Sequence, residues 1–420
     1  MEQETRDKPK HSVKAIIRDG DNWDRYQEVY AGKVTADQIR EVEKMLGCGG
    51  LENGYSTYIC LDCGEQVKVA FSCKSRICSR CGKVHADEWS DKLVGRLFNV
   101  VHRHVTFTVA EELWGYFDEH PESRELLYEA ANVTLRAVIR GEPGVVMVLH
   151  PFGKDLKVNY HLHVLTTEGG MDEEEQWQGQ SYISYEGLRK KWQYELLTRI
   201  REKEGARSET GGLVKRLFER YEEGFYVYAE PRVTAAKGIG RYIGRYIRHP
   251  AIADTRIVSY DGEQVSYYYQ QRLGQGKASK QVYKQVPVLE FIHGVVRHIP
   301  PKQFKMVRYY GLYAACKAKK IRAKMSAIGK AAGRVIYRLG WRKRIKRDFK
   351  RDPLRCPKCG QVNMELFSLT IRCGQRLITI GGFKWLFARG SIREITDPDP
   401  PSVQIEPQPI QLAFSFLRSP

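Results

Sequence analysis

The order of apolar and polar residues between Arg103 and Tyr246 predicts a run of strands and helices. Strands are expected where apolar and polar side chains alternate or β-branched residues cluster, and helices where apolar residues recur every three to four positions. The resulting order is βαββαβ, which is typical of an α+β, ferredoxin-like sandwich with an antiparallel sheet and one open face. The expected strands are 103–109, 145–150, 159–170 and 225–230, and the expected helices are 122–140 and 185–203.

Two histidines in the third expected strand indicate a candidate metal site. Side chains alternate along a strand, so His161 and His163 share one face while Leu162 faces the other. Their Cα atoms would lie roughly 6.6 Å apart, which lets both rings bind one divalent ion. In the first strand a polar row, His104, Thr106 and Thr108, is expected beside them on the uncovered face. The alternative is two histidines on the wet face of a half-buried strand.

The stretch 231–250, directly after the last strand, predicts a helix with three stripes. Isoleucines would dock on the sheet, and a basic row would meet phosphates. Tyr242 and Tyr246, one helical turn apart, would lie at the boundary, either as functional phenols or as amphipathic rim residues. The basic row is Lys237, Arg241, Arg245 and Arg248.

Other segments give coarser expectations. A helix is expected at 36–46, additional helix near 212–223, and a hairpin around Asp261 and Gly262. The segment 286–313 predicts a helix and a turn that ends in Arg308-Tyr-Tyr-Gly311. Residues 317–351 hold fifteen Lys or Arg and one acid, which favours a helical arm that binds phosphates through residues such as Arg342, Lys343 and Arg344.

Composition sets the class of partner and the compartment. The 420-residue chain carries a formal net charge of +19, so a polyanionic partner is expected. It has no apolar run of 18 residues and no apolar stretch near its start that a secretion signal would need, so we expect no membrane contact and an intracellular protein. Ten cysteines in a reducing compartment favour metal ligands over disulfides.

The cysteine spacing predicts zinc. Two C-x-x-C knuckles separated by fourteen residues match a tetrahedral site, so the preferred ligands are Cys60, Cys63, Cys78 and Cys81. Cys48, Cys73 and His85 leave room for another choice of ligands or for a second ion. Cys356, Cys359 and Cys373 suggest a second zinc knuckle, for which Cys316 is a candidate fourth ligand.

These features divide the chain into six expected regions. The proline-rich end should be a disordered linker, and its apolar cluster at 410–416 resembles peptides that dock on bacterial sliding clamps. The regions are a polar helical segment at 1–45, a zinc-binding domain at 46–95, a catalytic domain at 100–275, a basic arm at 280–352, a second knuckle at 353–392 and a tail at 393–420.

Taken together, the motifs resemble the rolling-circle insertion-sequence transposases of the two-tyrosine His-hydrophobic-His (HUH) class. The matching stretches are 71–81, 148–153, 160–170, 242–246 and 308–311, in the family's order. The resemblance implies an N-terminal transposase zinc-binding domain and an HUH nuclease domain with one or two nucleophilic tyrosines. It also implies bacterial transposition of a mobile element, and hence a cytoplasmic, nucleoid-associated protein.

For that chemistry, Mg²⁺ or Mn²⁺ held by His161 and His163 would polarise a scissile phosphate in single-stranded transposon DNA. Tyr242 or Tyr246 would attack it and form a 5′-phosphotyrosine. Four residues are candidates for the third metal ligand: His104, Glu168, Glu230 and His249. The rival functions are a plasmid rolling-circle replication initiator or relaxase, and a non-catalytic zinc-dependent DNA-binding protein.

Overall fold

A computed structural model describes residues 11–229, 250–272, 279–316, 341–349 and 352–381 of the chain. The helices in these ranges are α1 (Val13–Arg18), α2 (Asn22–Val29), α3 (Ala36–Leu46), α4 (Ser79–Val94), α5 (Trp114–Glu119), α6 (Glu125–Val138), α7 (Tyr185–Glu204), α8 (Glu209–Arg220), α9 (Val288–Val296) and α10 (Trp341–Phe349). The strands are β1 (Gly54–Cys60), β2 (Gln66–Ala70), β3 (His102–Thr108), β4 (Gly144–Phe152), β5 (Val158–Thr167), β6 (Gly169–Met171), β7 (Trp177–Gly179), β8 (Val227–Ala229), β9 (Ile257–Tyr260), β10 (Gln264–Arg272), β11 (Ser279–Pro287), β12 (Val307–Gly311), β13 (Met364–Cys373) and β14 (Arg376–Gly381).

The central structure is a five-stranded sheet, which we call the main sheet, with the strand order β12-β4-β5-β3-β8. Every neighbouring pair in it is antiparallel. Along the chain its first four strands alternate with helices as β3, α5–α6, β4, β5, α7–α8 and β8. The α+β class and the antiparallel sheet expected from the sequence are thus confirmed.

The two faces of the main sheet are covered differently. Val105 and Phe107 of β3, Leu149 of β4 and Leu162 of β5 pack with α5–α8 into the largest core, in which Trp192 is fully buried. On the opposite face a smaller core from the end of α4 covers part of β4 and β5. The remainder of that face carries polar side chains of β3, β4 and β5, as the alternation in β3 predicts.

The segment 286–313 differs from its prediction as a helix and a turn. A helix forms at 288–296, but 307–311 is the strand β12, which pairs with β4 from Val307 opposite Val148 to Gly311 opposite Gly144. The reason lies in β4, whose residues are apolar on both faces. A strand of this kind needs a partner along each edge, and β12 supplies the outer one.

A second, four-stranded sheet, which we call the ribbon sheet, joins residues from distant parts of the chain. Its order is β14-β13-β1-β2. The β1–β13 pair places Cys60 opposite Met364 and Tyr55 opposite Thr370. The sequence suggested a separate second knuckle here. Residues 352–381 are instead joined to the N-terminal segment, because β13 completes the sheet that β1 and β2 begin.

The first three helices pack on a third sheet, β11-β10-β9, and on α9. The Asn22 amide donates to the Tyr260 hydroxyl at 2.8 Å, and the Tyr26 hydroxyl lies 3.2 Å from the His293 ring. The β9–β10 hairpin turns at Gly262, with a φ of 104°, as the Asp-Gly pair predicts. Among the described residues, no helix is both long and apolar enough to cross a membrane.

Candidate metal centres

Three imidazoles, which we call the histidine site, meet on the open face of the main sheet. His150 of β4 lies directly opposite His161 of β5, and His163 follows two positions later on the same face. One ring nitrogen from each lies within 4.8 Å of the others. The ring centroids are 4.7 Å apart for His150 and His163, and 4.9 Å apart for His161 and His163. This spacing allows one divalent cation to take all three nitrogens.

Hydrogen bonds at the far side of two of these rings fix their orientation. The Nδ1 of His161 lies 2.7 Å from the Asn159 carbonyl oxygen, so Nδ1–H donates to it and Nε2 keeps its lone pair. The Nδ1 of His163 lies 3.0 Å from the Nε2 of the buried His104 and 3.3 Å from the Thr106 hydroxyl. Metal-binding histidines use such contacts to set ring direction and tautomer.

Burial also favours the neutral form of the His161 imidazole, which is the form that binds a metal ion. Desolvation lowers the pKa of His161 to about 4, against a smaller opposite effect of the Asn159 carbonyl. The imidazole is therefore neutral near pH 7 and offers a lone pair to a cation without first losing a proton.

The sequence left the third ligand open among four residues, and the structure places a fifth beside the pair. His104 contacts the ring of His163 from the side, and Glu168 accepts a hydrogen bond of 2.6 Å from the Arg103 guanidinium. Glu230 and His249 lie outside the described residues. His150 was missed because it ends an apolar run, and only the β4–β5 register reveals it.

Eight of the ten cysteines form two groups of four within the described residues. The first, which we call the helical thiol site, contains Cys48, Cys73, Cys78 and Cys81. The second, which we call the ribbon thiol site, contains Cys60, Cys63, Cys356 and Cys359.

The two knuckles that spacing placed in one site are thus divided between two sites. Cys60 and Cys63 lie at the turn from β1 to β2, whereas Cys78 and Cys81 lie at the start of α4, in the core with α1–α3. Cys373 is exposed at the far end of β13 and belongs to neither group. It is nine residues from Met364, so roughly 30 Å of strand separates it from the ribbon thiol site. Cys316, the other candidate, is also exposed and in neither group.

The helical thiol site fits a structural zinc ion. The Cys81 Sγ lies 3.6 Å from both the Cys48 and the Cys73 Sγ, and the Cys78 Sγ lies 3.7 Å from that of Cys48. Four thiolates at about 2.3 Å from a tetrahedral zinc ion lie about 3.8 Å from one another, while a disulfide would bring two sulfurs to about 2 Å. All four residues are buried or half-buried, as expected for a closed site.

Several expected DNA-binding residues lie outside the part of the chain that the structure describes. In α10, the Arg342 guanidinium donates to both Asp352 carboxylate oxygens, at 2.8 and 2.6 Å, and Lys343 is exposed. Arg344 lies in the same helix. The residues outside the description are Tyr242, Tyr246, Lys237, Arg241, Arg245, Arg248, residues 317–340 and 350–351 of the basic arm, and the terminal apolar cluster at 410–416.

Comparisons with known proteins agree with this arrangement. The family model described as a transposase zinc-binding domain matches residues 20–109, and that described as a putative transposase matches residues 144–320. The first range holds the helical thiol site, and the second holds all three residues of the histidine site. No solved structure matches the chain at a significant level.

Two curated relatives match most of the chain. The transposase for insertion sequence element IS801 of Pseudomonas savastanoi pv. phaseolicola is 25% identical over 77% of this chain and 82% of its own length. A putative transposase of Sinorhizobium fredii is 25% identical over 82% of this chain and 94% of its own length. With both domains matched in order and these relatives aligned along most of its length, the chain has the zinc-binding and transposase domain architecture of insertion-sequence transposases.

Proposed function

We propose that this transposase cuts and rejoins single-stranded DNA by a metal-assisted transesterification on tyrosine, in a rolling-circle type of transposition. The observation that carries the proposal is the convergence of His150, His161 and His163 on the open face of the main sheet. Three neutral nitrogen ligands on one side of an ion leave other coordination positions for phosphate oxygens.

The topology supports an HUH nuclease domain of the ferredoxin-like type. Along the chain, β3, β4, β5 and β8 are the first, second, third and fourth strands of the βαββαβ unit. In the sheet their order is β4-β5-β3-β8, so the third and first strands occupy the two middle positions. The histidines of β5 are therefore central in the sheet. Helices cover the opposite face, so a DNA strand has access from the polar side only.

In the proposed reaction, the hydroxyl oxygen of Tyr242 or Tyr246 attacks phosphorus in the DNA backbone. The new bond links the tyrosine to the 5′-phosphate, the bond to the 3′-oxygen breaks, and the phenolic proton passes to that oxygen. Mg²⁺ or Mn²⁺ held by the histidine site would polarise a non-bridging oxygen of the phosphate. The second tyrosine would accept or cut another strand while the first holds the cleaved end. Reversal of the same step rejoins the DNA.

The position of β8 favours these tyrosines as the nucleophiles. Ala229, the last residue of β8, pairs with Val105 of β3, and β3 is the strand next to β5. Only β3 therefore lies between the end of β8, just before the tyrosine segment, and the strand that carries His163. The basic residues Lys237, Arg241, Arg245 and Arg248, together with Arg342, Lys343 and Arg344, are proposed to bind the DNA backbone. A sliding-clamp contact of residues 410–416 remains part of the same proposal.

A covalent trapping experiment tests the mechanism. The protein is incubated with a labelled single-stranded oligonucleotide that contains an element end, and adducts are separated by denaturing electrophoresis. We expect an adduct with the unchanged protein, a reduced adduct with Tyr242→Phe or Tyr246→Phe, and none with the double variant. Tyr182→Phe, at a tyrosine that is 72% exposed and outside the histidine site, is the matched control. An undiminished adduct in the double variant would rule these tyrosines out.

Excision of a flanked DNA segment separates transposition from the related reactions. A replication initiator or relaxase would form the same adduct without excising the segment, whereas a DNA-binding protein without a nuclease centre would form no adduct. The comparisons favour the transposase, since both curated relatives carry that name.

A further inference from the structure

We propose that the ribbon thiol site binds a second zinc ion, which fastens residues 352–381 to the N-terminal zinc-binding domain. Two ligands, Cys60 and Cys63, come from the N-terminal domain, and two, Cys356 and Cys359, come from a segment almost 300 residues later. The later pair lies outside both ranges matched by the transposase families, 20–109 and 144–320. The zinc-binding domain of this chain would thus be completed from the other side of the nuclease domain.

The two halves of the site have the same local structure. In one, the Gly64 N–H donates to the Cys60 carbonyl at 2.9 Å, and in the other the Gly360 N–H donates to the Cys356 carbonyl at 3.0 Å. Both glycines have a left-handed φ, 72° and 75°. A second bond repeats as well, since the backbone N–H of each first cysteine donates five residues ahead, to Glu65 and to Gln361. Each turn is thus one zinc knuckle, and two knuckles make a four-thiolate site.

The sulfur positions fit a zinc ion and exclude disulfides. The Cys60 Sγ lies 3.6 Å from the Cys359 Sγ, and the Cys63 Sγ lies 3.6 Å from the Cys356 Sγ. These distances match the edge of a zinc tetrathiolate, about 3.8 Å, and the crossed pairing brings both knuckles around one centre. Cys60 and Cys356 are each only 1% exposed. Four converging thiols, of which those of Cys60 and Cys356 are buried, would without an ion place polarisable, ionisable groups together without compensation.

Contacts around the site hold the two knuckles in register. The Leu61 N–H donates to the Asn363 carbonyl at 3.1 Å, and the Asn363 amide donates to the Asp62 carboxylate at 3.2 Å. Lys358 forms an ion pair with Glu65 at 3.7 Å, and β13 pairs along β1. The described helix α10, which precedes this knuckle, contacts α4 through Arg347 and Asp91 at 2.9 Å.

Native mass spectrometry of the full chain, with zinc quantified by elemental analysis, tests this inference. We expect two zinc ions per folded chain and one in the double variant Cys356→Ser, Cys359→Ser. Cys373→Ser, which changes an exposed cysteine of the same segment outside both sites, should keep two and serves as the matched control. A complementary double variant, Cys73→Ser, Cys81→Ser, should also retain one ion, that of the ribbon thiol site.

Hydrogen exchange gives a second readout that does not depend on the variants folding normally. Prolonged incubation of the unchanged protein with a chelator strong enough to remove thiolate-bound zinc should speed exchange of the β13 amides, residues 364–373, by on the order of tenfold or more, because their strand partner is no longer fixed. One zinc ion per folded wild-type chain would overturn the inference, as would two ions in the Cys356, Cys359 double variant. Neither readout involves DNA cleavage, so the outcome is separate from that of the proposed mechanism.

Discussion

The histidine site and the ribbon thiol site are both built between paired strands, but they differ in how many ligands they offer. The first has three imidazoles on an open sheet face, and the second has four thiols between two matching turns. Three nitrogen ligands leave part of a cation's coordination shell free for a substrate, whereas four thiolates fill a tetrahedral zinc ion completely. The number and type of side chains thus separate a site suited to chemistry from one suited to holding the fold.

The difference also appears in the surroundings. Behind the histidine site, His104 and Thr106 direct the His163 ring, so its geometry depends on polar side chains. Around the ribbon thiol site, backbone N–H groups and strand pairing set the geometry. Burial raises the pKa of the Cys356 thiol, but hydrogen bonds from the backbone of Cys359 and Lys358 and from neighbouring thiols outweigh it and lower the pKa to about 7. In the first site, side chains direct His163 and the Asn159 carbonyl directs His161, whereas the backbone mainly sets the second site.

Metal removal should separate the two kinds of site most strongly. Brief treatment with EDTA is expected to abolish oligonucleotide cleavage, and Mg²⁺ or Mn²⁺ should restore it. Zinc content should stay unchanged over the same period, because thiolates hold zinc far more tightly than three imidazoles hold a hard cation. Cleavage rates and elemental analysis on the same sample check this. Full cleavage activity after EDTA treatment would show that the histidine site needs no bound cation, and the contrast between the two kinds of site would then be lost.

Substitution of His150, the proposed third ligand that the sequence did not indicate, should have the next largest effect. His150→Ala is expected to lower the cleavage rate by on the order of 10²- to 10³-fold, because a bound cation stabilises transition-state charge by several kcal/mol. Its zinc content should not change. His120→Ala, at a half-buried histidine outside the cluster, is the control. If His150→Ala cleaves as fast as this control, the third ligand is a different residue.

A smaller effect is expected from His104, which we place as a positioning residue. His104→Gln should raise the Mg²⁺ or Mn²⁺ concentration needed for half-maximal cleavage by roughly 10- to 100-fold. The rate at saturating metal should stay close to that of the wild type. A metal titration of the cleavage rate distinguishes the two parameters. A lower saturating rate with an unchanged metal requirement would contradict a positioning role and point to direct contact with DNA.

The smallest effect concerns pH. Desolvation lowers the pKa of His102, which lies in the main sheet against the Tyr313 hydroxyl, to about 4. In the unfolded chain this histidine titrates near 6.5, so the unfolded state binds more protons between pH 6.5 and 4. His102 therefore costs the protein stability as pH falls through this window and has no such effect above it.

His102→Gln should accordingly weaken the pH dependence of unfolding. Between pH 7 and pH 5 the melting temperature of the variant is expected to fall less than that of the wild type, by roughly 2 to 4 °C. Differential scanning calorimetry at both pH values measures the two slopes, and any acid-induced zinc loss is common to both proteins. Equal slopes would show that His102 does not change its charge on unfolding.

Local patterns in the sequence correctly predicted the elements that depend on neighbouring residues. The helix at 36–46 and the hairpin at Asp261 and Gly262 are confirmed, and the helix expected at 185–203 is α7. The polar row beside the histidines is also present, with Thr106 opposite His163 and Thr108 opposite His161. Helical periodicity, strand alternation and turn chemistry are properties of short segments, which explains these results.

Contacts between distant segments could not be predicted in the same way. Spacing identified both N-terminal knuckles, but it could not show that Cys60 and Cys63 meet Cys356 and Cys359 instead of Cys78 and Cys81. The position of His150 depends on the register between β4 and β5, which spacing does not determine. The roles of Tyr242 and Tyr246 stay predictions, since they lie outside the described residues.

The β1–β13 pairing also has a consequence for how the protein is made. During synthesis β1 can pair with β2 as soon as both strands have left the ribosome. The other edge of β1 has no partner until residues 364–373 also leave the ribosome. At about 5 to 20 residues per second, this takes roughly 15 to 60 seconds. Strands β3, β4, β5 and β8 of the main sheet are complete well before then, so the nascent chain would assemble most of its main sheet before it completes its ribbon sheet.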